Sequence, residues 1–238
     1  MKKKIVVTGG SGRFGSLLKK AKSKYQVLFP KKNKFNIKNI AQMRDYVKKN
    51  SPQYLILLAG LSRPMSMHET NISDSIDLNI IGTANITKIC SEMNVKLIYF
   101  STNYVYPGTG GNYKEKDPIY PVNNYAWSKL GGECSVKLYK NSLILRVCMT
   151  EFPFVHDEAF ADFVNSFIYH KDAIKILFKV LDKQGVLNLG GKKQTVYNFA
   201  KVKKPKIKKI FLKDFKNINM PKNSSLNLKK LKLILKNK

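Results

Sequence analysis

The sequence has few acidic residues. Its 238 residues include 15 Asp and Glu against 44 Lys and Arg, so the formal net charge is +29. Such a charge suits nucleic acid or an anionic membrane surface. Arginine, the residue preferred for base and bidentate phosphate contacts, is also scarce. The chain contains only Arg13, Arg44, Arg63 and Arg146. Because its lysines are also scattered, we favour a solvated lysine surface and disfavour nucleic-acid binding.

Cysteine and long apolar runs are also scarce. Three cysteines, Cys90, Cys134 and Cys148, with no C-x-x-C pair argue against a disulfide frame or zinc site and for a reducing compartment. The start MKKKIVV resembles a signal peptide, but Thr8–Gly10 ends its apolar run at once. No stretch approaches the roughly 18 apolar residues of a membrane span. We therefore expect a cytoplasmic protein with no membrane segment and no metal ion.

The hydrophobic content of 43% is sufficient for a folded core. Short apolar strands alternate with helical stretches, which predicts a doubly wound α/β fold with a parallel sheet covered on both faces. The predicted strands are Ile5–Thr8, Val27–Phe29, Tyr54–Leu58, Lys96–Phe100 and Leu143–Val147. The predicted helices between them are Gly12–Lys22, Ile40–Asn50, Ser66–Met93 and Asn124–Tyr139. We expect the helix over 66–93 to be irregular at its start.

After Val147 the alternation loosens. We predict helices at Asp172–Leu181 and Leu226–Leu235, and strands at Val186–Leu189 and Lys208–Leu212. The domain prediction is a dinucleotide-binding Rossmann domain over residues 1–147. A small, lysine-rich substrate-binding lobe, interleaved with it, covers residues 148–238.

A glycine-rich turn follows the first strand in the stretch KIVVTGGSGRFG. Gly10, Gly12 and Gly15 fit G-x-G-x-x-G, whereas Gly9, Gly12 and Gly15 fit G-x-x-G-x-x-G. In either register, glycines between a strand and a helix let the backbone approach a pyrophosphate at the helix N-terminus. The sequence therefore predicts a dinucleotide site.

The second strand favours NADPH over NADH. An NAD site usually has an acidic residue about 20 residues after the glycines, to bind the ribose 2′-hydroxyl. No acid precedes Asp45, and Lys31 follows the second strand instead. A lysine there attracts a 2′-phosphate, which a carboxylate would repel. Arg13 in the loop is a second candidate for this contact.

The predicted helix over 124–139 contains a Y-x-x-x-K pattern, with Tyr125 and Lys129 on one face. A tyrosine has an ordinary pKa of about 10, which a neighbouring ammonium lowers. Tyr125 could then protonate a carbonyl oxygen as hydride arrives at its carbon. Ser101 and Thr102 follow the fourth strand and offer a hydroxyl to hold that carbonyl. Together these features select the G-x-x-G-x-x-G register.

With these motifs in place, the chain resembles the extended short-chain dehydrogenase/reductases, and within them the dTDP-4-dehydrorhamnose reductase group. The resemblance rests on three segments: STNYVYPGTG at 101–110, the span from Glu115 to Glu133, and PKNSSLN at 221–227. It implies reduction of a nucleotide-linked 4-keto-6-deoxy sugar with a nicotinamide cofactor. A homodimer is compatible with this family.

The resemblance also implies roles for particular residues. The implied catalytic residues are Thr102, Tyr125 and Lys129. The candidate cofactor-binding residues, among which Arg13 and Lys31 follow from their charge and position, are Gly9, Gly12, Arg13, Phe14, Gly15, Lys31, Asn36, Ala59, Gly60, Asn79 and Lys129. The candidate substrate-binding residues are Arg63, Thr102, Asn103, Tyr104, Tyr125 and His156.

The chain departs from the family pattern at two places. Asn103 replaces the family's Asp, and the segment Cys148–Tyr169, which helps to build the sugar pocket, is shortened. Related 4,6-dehydratases carry an Asp-Glu pair where this chain has Asn103-Tyr104, so a dehydratase is disfavoured. A sugar-nucleotide epimerase and a non-catalytic nucleotide-binding regulatory subunit stay open as alternatives.

Overall fold

The computed structural model describes residues 2–215 and 220–237. The chain folds into two compact units, each assembled from several segments. The first unit comprises Met1–Ser101, Trp127–Leu145 and Leu181–Val186. The second unit comprises Thr102–Ala126, Arg146–Val180 and Leu187–Lys238. No helix within the described ranges is long and apolar enough to cross a membrane.

A six-stranded sheet confirms the predicted doubly wound fold. Its strands are β1 (Lys4–Val7), β2 (Gln26–Leu28), β3 (Tyr54–Leu57), β4 (Lys96–Thr102), β5 (Ser142–Val147) and β10 (Gly185–Leu189), in the order β10-β5-β4-β3-β1-β2. β1 pairs in parallel with both β2 and β3, and β3 pairs in parallel with β4. The strand order reverses beside β1, and ligands of such sheets bind at the carboxyl ends of the strands there.

Helices connect these strands and bury an apolar core in the first unit. They are α1 (Arg13–Lys19), α2 (Ile40–Asn50), α3 (Met67–Thr70), α4 (Ile72–Ser75), α5 (Gly82–Glu92) and α6 (Asn124–Lys137). Fully buried side chains of β1, β3 and β4, such as Val6, Leu55 and Leu97, pack against Met43 of α2 and Ile86 of α5. Strands buried on both faces explain the continuous apolar runs in the sequence.

The predicted helix over 66–93 is irregular at its start, as expected, and the structure divides it into shorter segments. Helix α3 ends at Thr70, and the Asn71 side chain accepts a hydrogen bond from the Asp74 amide to begin α4. A π-helical segment, Ile76–Ile81, then precedes α5. An Asn side chain competes with regular helix bonding and favours a helix start, which explains the first break.

Among its described residues, the second unit contains short strands and the three α-helices named below. The strands are β6 (Met149–Thr150), β7 (Glu158–Phe160), β8 (Val164–Asn165), β9 (Ile168–Tyr169), β11 (Gln194–Thr195) and β12 (Lys208–Ile210). The helices are α7 (His170–Val180), α8 (Val196–Lys201) and α9 (Lys229–Lys236). An aromatic core, including Phe154, Phe163 and Phe199, fills this unit.

The predicted final helix begins later than expected. Helix α9 starts at Lys229, because Leu226 is buried and forms a parallel bridge with Tyr113. Leu226, the apolar residue of the segment PKNSSLN, therefore belongs to this pairing and not to the helix.

The three cysteines lie in different surroundings. Cys90 and Cys148 are buried, and burial raises the pKa of both thiols. Cys134 is exposed on α6.

Candidate functional site

The glycine loop forms a tight backbone cradle after β1. The Gly12 amide donates to the Gly9 carbonyl at 3.0 Å, and the Ser16 amide donates to the Gly12 carbonyl at 2.8 Å. Gly9 has a φ of +69°, which disfavours any residue with a side chain. Helix α1 then starts at Arg13, directly after the loop, and the first amides of a helix point toward its N-terminal end. This arrangement suits a pyrophosphate.

The space around each glycine distinguishes the two registers. A Cβ atom at Gly9 would lie 2.7 Å from the Ala59 nitrogen, and one at Gly15 would lie 2.2 Å from the Gly9 carbonyl oxygen. At Gly10 the nearest atoms belong to the Phe29 side chain, and the closest is the ring atom Cδ1 at 2.8 Å. The backbone therefore requires glycine at position 15, which both registers contain, and at position 9, which only the G-x-x-G-x-x-G register contains.

The end of β3 is tied to this loop. The Thr8 hydroxyl accepts hydrogen bonds from the Leu58 and Ala59 amides at 3.1 and 3.0 Å. Thr8 is buried, and sequence reasoning missed it. Its only signal is its position as the last residue before the glycines. The bonds fix the predicted cofactor-binding segment at Ala59 against the loop.

Asn79 lies in the π-helical segment and is 1% exposed. Its side chain accepts from the Leu61 amide at 2.8 Å and donates to the Leu61 carbonyl at 2.8 Å and to the Ser128 hydroxyl at 2.9 Å. A Cβ at Gly60 would lie 2.7 Å from the Asn79 Oδ1 atom. Asn79 thus joins the segment after β3 to helix α6, and Ser128 is a second residue that sequence reasoning missed.

Helix α6 carries Tyr125 and Lys129 one turn apart, as predicted. Both side chains are half-buried. The Lys129 Nζ atom lies 4.3 Å from the centre of the Tyr99 ring, and the Tyr99 hydroxyl donates to the Lys129 carbonyl at 2.8 Å. Tyr99 therefore fixes the backbone of Lys129 and gives its ammonium an aromatic face.

The surroundings of Lys129 change its titration. Burial lowers the pKa of its ammonium to about 7, although the nearby Glu133 carboxylate acts in the opposite direction. The cause is the loss of water around the charged form. Near neutral pH this lysine can therefore gain or release a proton.

The structure separates the roles of the two hydroxyls after β4. The Ser101 hydroxyl donates to the Glu133 carboxylate at 2.6 Å, and both residues are 2% exposed. The Thr102 hydroxyl accepts from the Tyr104 amide at 3.2 Å, a bond that leaves the hydroxyl proton for another acceptor. Thr102 is thus better suited than Ser101 to hold a carbonyl oxygen.

Other predicted cofactor contacts lie on the first unit's surface or in its core. Arg13 and Lys31 are exposed, whereas Phe14 is buried with its ring 5.2 Å from that of Phe100. The Asn36 side chain accepts from the Lys38 amide at 3.1 Å. The two cationic side chains are therefore accessible to an anion, whereas Phe14 packs against Phe100 in the core.

The predicted substrate contacts differ in exposure. Arg63 is exposed in the first unit, and His156 is exposed in the second, with its ring 5.4 Å from that of Phe154. Tyr104 is buried in the second unit, with its ring 6.4 Å from that of Phe163. Asn103 is also buried there.

Three comparisons relate the chain to known proteins. The family model described as "RmlD substrate binding domain" matches residues 2–186. A dTDP-4-dehydrorhamnose reductase from Aggregatibacter actinomycetemcomitans is 26% identical over 170 residues, covering 69% of this chain and 54% of that protein. The methionine adenosyltransferase 2 subunit beta of Xenopus laevis is 26% identical over 155 residues, covering 61% of this chain and 46% of that protein.

These sequence matches therefore span about half the length of the curated relatives. Among solved structures, the dTDP-4-dehydrorhamnose reductase of Bacillus anthracis in complex with NADP superposes with a TM-score of 0.86 at 23% identity. That match covers 98% of this chain and 93% of the other, which establishes a shared fold. The glycine cradle, the doubly wound sheet and a family model matching residues 2–186 lead to one conclusion: the chain belongs to the RmlD substrate binding domain family.

Proposed function

We propose that this protein reduces the 4-keto group of a nucleotide-linked 4-keto-6-deoxy sugar with NADPH. The observation that carries the proposal is the pairing of Tyr125 and Lys129 on helix α6, in a chain that also has the glycine cradle. The similarity to a protein named dTDP-4-dehydrorhamnose reductase supports the same substrate class.

The first unit fits a dinucleotide. The tight loop that would hold a pyrophosphate depends on Gly9 and Gly15, where a Cβ atom would collide with backbone atoms. Gly9, Gly12 and Gly15 would hold the pyrophosphate, and the exposed Arg13 and Lys31 would favour the 2′-phosphate of NADPH. The bound cofactor supplies hydride to the substrate carbon. NADH stays a possible second cofactor.

Three side chains would act on the substrate carbonyl. Thr102 donates its free hydroxyl proton as a hydrogen bond to the carbonyl oxygen, and Tyr125 transfers a proton to that oxygen. The Lys129 ammonium lowers the pKa of the Tyr125 phenol, so that proton transfer operates near neutral pH. Since burial brings the pKa of Lys129 to about 7, this support weakens as Lys129 deprotonates.

The test is a fluorescence titration of the purified protein with NADPH and NADH, followed by addition of 4-keto-6-deoxy sugar nucleotides. We expect tight NADPH binding and its oxidation by at least one member of the panel. Tyr125→Phe should lose turnover and keep cofactor binding, whereas Tyr120→Phe, at a tyrosine 68% exposed, should match the unmodified protein. Full activity of Tyr125→Phe, or no binding of either cofactor, would contradict the proposal.

A second candidate is a nucleotide-binding regulatory subunit without turnover. The similarity to methionine adenosyltransferase 2 subunit beta favours it, because that name describes a subunit of another enzyme. It predicts NADPH binding, a stable complex with a second enzyme and no oxidation by any sugar nucleotide. Turnover with one member of the panel decides against this candidate.

A further inference from the structure

Asn103 occupies a buried position immediately after Thr102, in a short 3-10 turn over Asn103–Val105. Its side-chain Nδ2 group donates to the Asn165 Oδ1 atom at 2.9 Å, to the Ser224 carbonyl at 3.0 Å and to the Ser224 hydroxyl at 3.1 Å. Asn103, Asn165 and Ser224 are 3%, 1% and 0% exposed. All belong to the second unit.

The acceptors around Asn103 suit an amide and oppose a carboxylate. Two of them, the Asn165 Oδ1 atom and the Ser224 carbonyl, cannot donate a hydrogen bond. An aspartate here, as in the family pattern, would place a buried charge against both oxygens. Burial disfavours the ionised form, and only the Ser224 hydroxyl, among the three acceptors, could rotate to donate to it.

Asn165 cannot easily rotate its amide to serve a carboxylate at position 103. Its Oδ1 atom also accepts from the Ser166 amide at 2.8 Å and from the Cys148 thiol at 2.8 Å. Rotation would turn the Nδ2 group toward these two donors and break both bonds. The orientation of Asn165, and therefore the demand for a donor at position 103, is fixed by its other neighbours.

We propose that Asn103 is a positioning residue for Thr102, and that this chain requires an amide there. The inference rests on the proposed function, in which Thr102 holds the substrate carbonyl. Asn103 ties the turn after β4 to residues 62 and 121 positions further along the chain. The Thr102 hydroxyl, which caps the same turn through the Tyr104 amide, is thereby held in place.

Asn103→Asp tests the proposal, since it changes the donor to an acceptor with almost no change in volume. Asn198→Asp, at an exposed position of α8, is the matched control for the added charge. At pH 8 we expect kcat of Asn103→Asp to fall by about 10²-fold, the size of effect seen when a reacting group is misplaced by 1 Å. The Kd for NADPH should be unchanged.

The pH profile separates positioning from a general loss of structure. A protonated carboxyl regains one donor, so the kcat of Asn103→Asp relative to the unmodified protein should rise as pH falls from 8 to 5. Asn198→Asp should follow the unmodified protein throughout. An unmodified kcat for Asn103→Asp at pH 8, or a ratio that does not change with pH, overturns the positioning role.

A stability measurement, which does not depend on turnover, tests the need for an amide at position 103 separately from the proposed reductase activity. Burial should raise the native pKa of the introduced carboxyl above its unfolded value. The loss in free energy of unfolding that this carboxyl causes is therefore smallest at low pH and grows as pH rises through the native pKa. Urea unfolding of Asn103→Asp should show this loss relative to Asn198→Asp. If the unmodified protein reduces no sugar nucleotide, the proposed function fails. Equal stability of the two variants at pH 8 then overturns the amide requirement itself.

Discussion

Gly15→Ala is the most direct perturbation of the glycine cradle. Gly15 lies in the first turn of α1, and a methyl group there would stand 2.2 Å from the Gly9 carbonyl oxygen. Contacts below 3.0 Å are essentially absent for real Cβ atoms, so the loop and helix must separate by roughly 1 Å. The atom that has to move is backbone, which the Gly12 amide and the Thr8 contacts with β3 hold in place.

The expected magnitude combines two opposing effects. Alanine in a helix is ordinarily more stable than glycine by about 1 kcal/mol. Overpacking of this kind costs about 1–3 kcal/mol, so we expect a net loss of up to about 2 kcal/mol in the free energy of unfolding. Cofactor binding should suffer more, because the displaced backbone is the one that approaches the pyrophosphate. We expect the Kd for NADPH to rise at least about tenfold, equivalent to about 1.4 kcal/mol.

Urea unfolding and NADPH fluorescence titration measure the two effects, and two glycine variants serve as controls. A Cβ at Gly10 would meet the Phe29 ring at 2.8 Å, and one at Gly131 would meet the Ile80 Cδ1 atom at 2.8 Å. Both contacts involve side chains that can rotate, so Gly10→Ala and Gly131→Ala should bind NADPH nearly as tightly as the unmodified protein. If Gly15→Ala binds NADPH normally, the role of the glycine cradle is refuted. If Gly10→Ala is equally impaired, the argument for the G-x-x-G-x-x-G register fails.

Three further predictions concern buried polar groups. Asn79→Ala should lower the free energy of unfolding by about 2–4 kcal/mol in urea titrations, because it leaves buried hydrogen-bonding groups unpaired. Ser101→Ala should cost about 2 kcal/mol, since the buried Glu133 carboxylate loses the hydrogen bond from Ser101, whereas Thr102→Ala should remove turnover with little loss of stability. Burial depresses the native pKa of Lys129 to about 7, so the unfolded chain binds the extra proton above that pH. The free energy of unfolding of the unmodified protein, measured in urea relative to that of Lys129→Met, should therefore rise between about pH 7 and 10. A difference between the two proteins that does not change with pH would contradict this.

The fold was predictable where the signal was local. The apolar runs at Tyr54–Leu57 and Ser142–Val147 became strands because burial on both faces demands continuous hydrophobicity. The breaks within residues 66–93 were harder to predict, since the segment Ile76–Ile81 is π-helical and contains a residue held by partners distant in sequence. Within that segment, Asn79 bonds to Leu61 and Ser128, and neither partner is near it in sequence.

The candidate site shows the same division. The pair Tyr125 and Lys129 follows from helix spacing, and the glycine loop follows from a strand, a turn and a helix in sequence. The partners of Ser101 and Asn103 do not follow from any local pattern, because they lie 32 and up to 121 positions away. Only the folded chain brings Glu133 to the first and Ser224 to the second.

The distribution of the cysteines makes the protein convenient for spectroscopy. With Cys90 and Cys148 buried and their thiols resistant to ionisation, thiol-reactive reagents should select Cys134. Cys134 shares helix α6 with Lys129 and faces solvent. A maleimide dye could therefore be attached to the native chain at this one position, to report on events along that helix without removing any other cysteine.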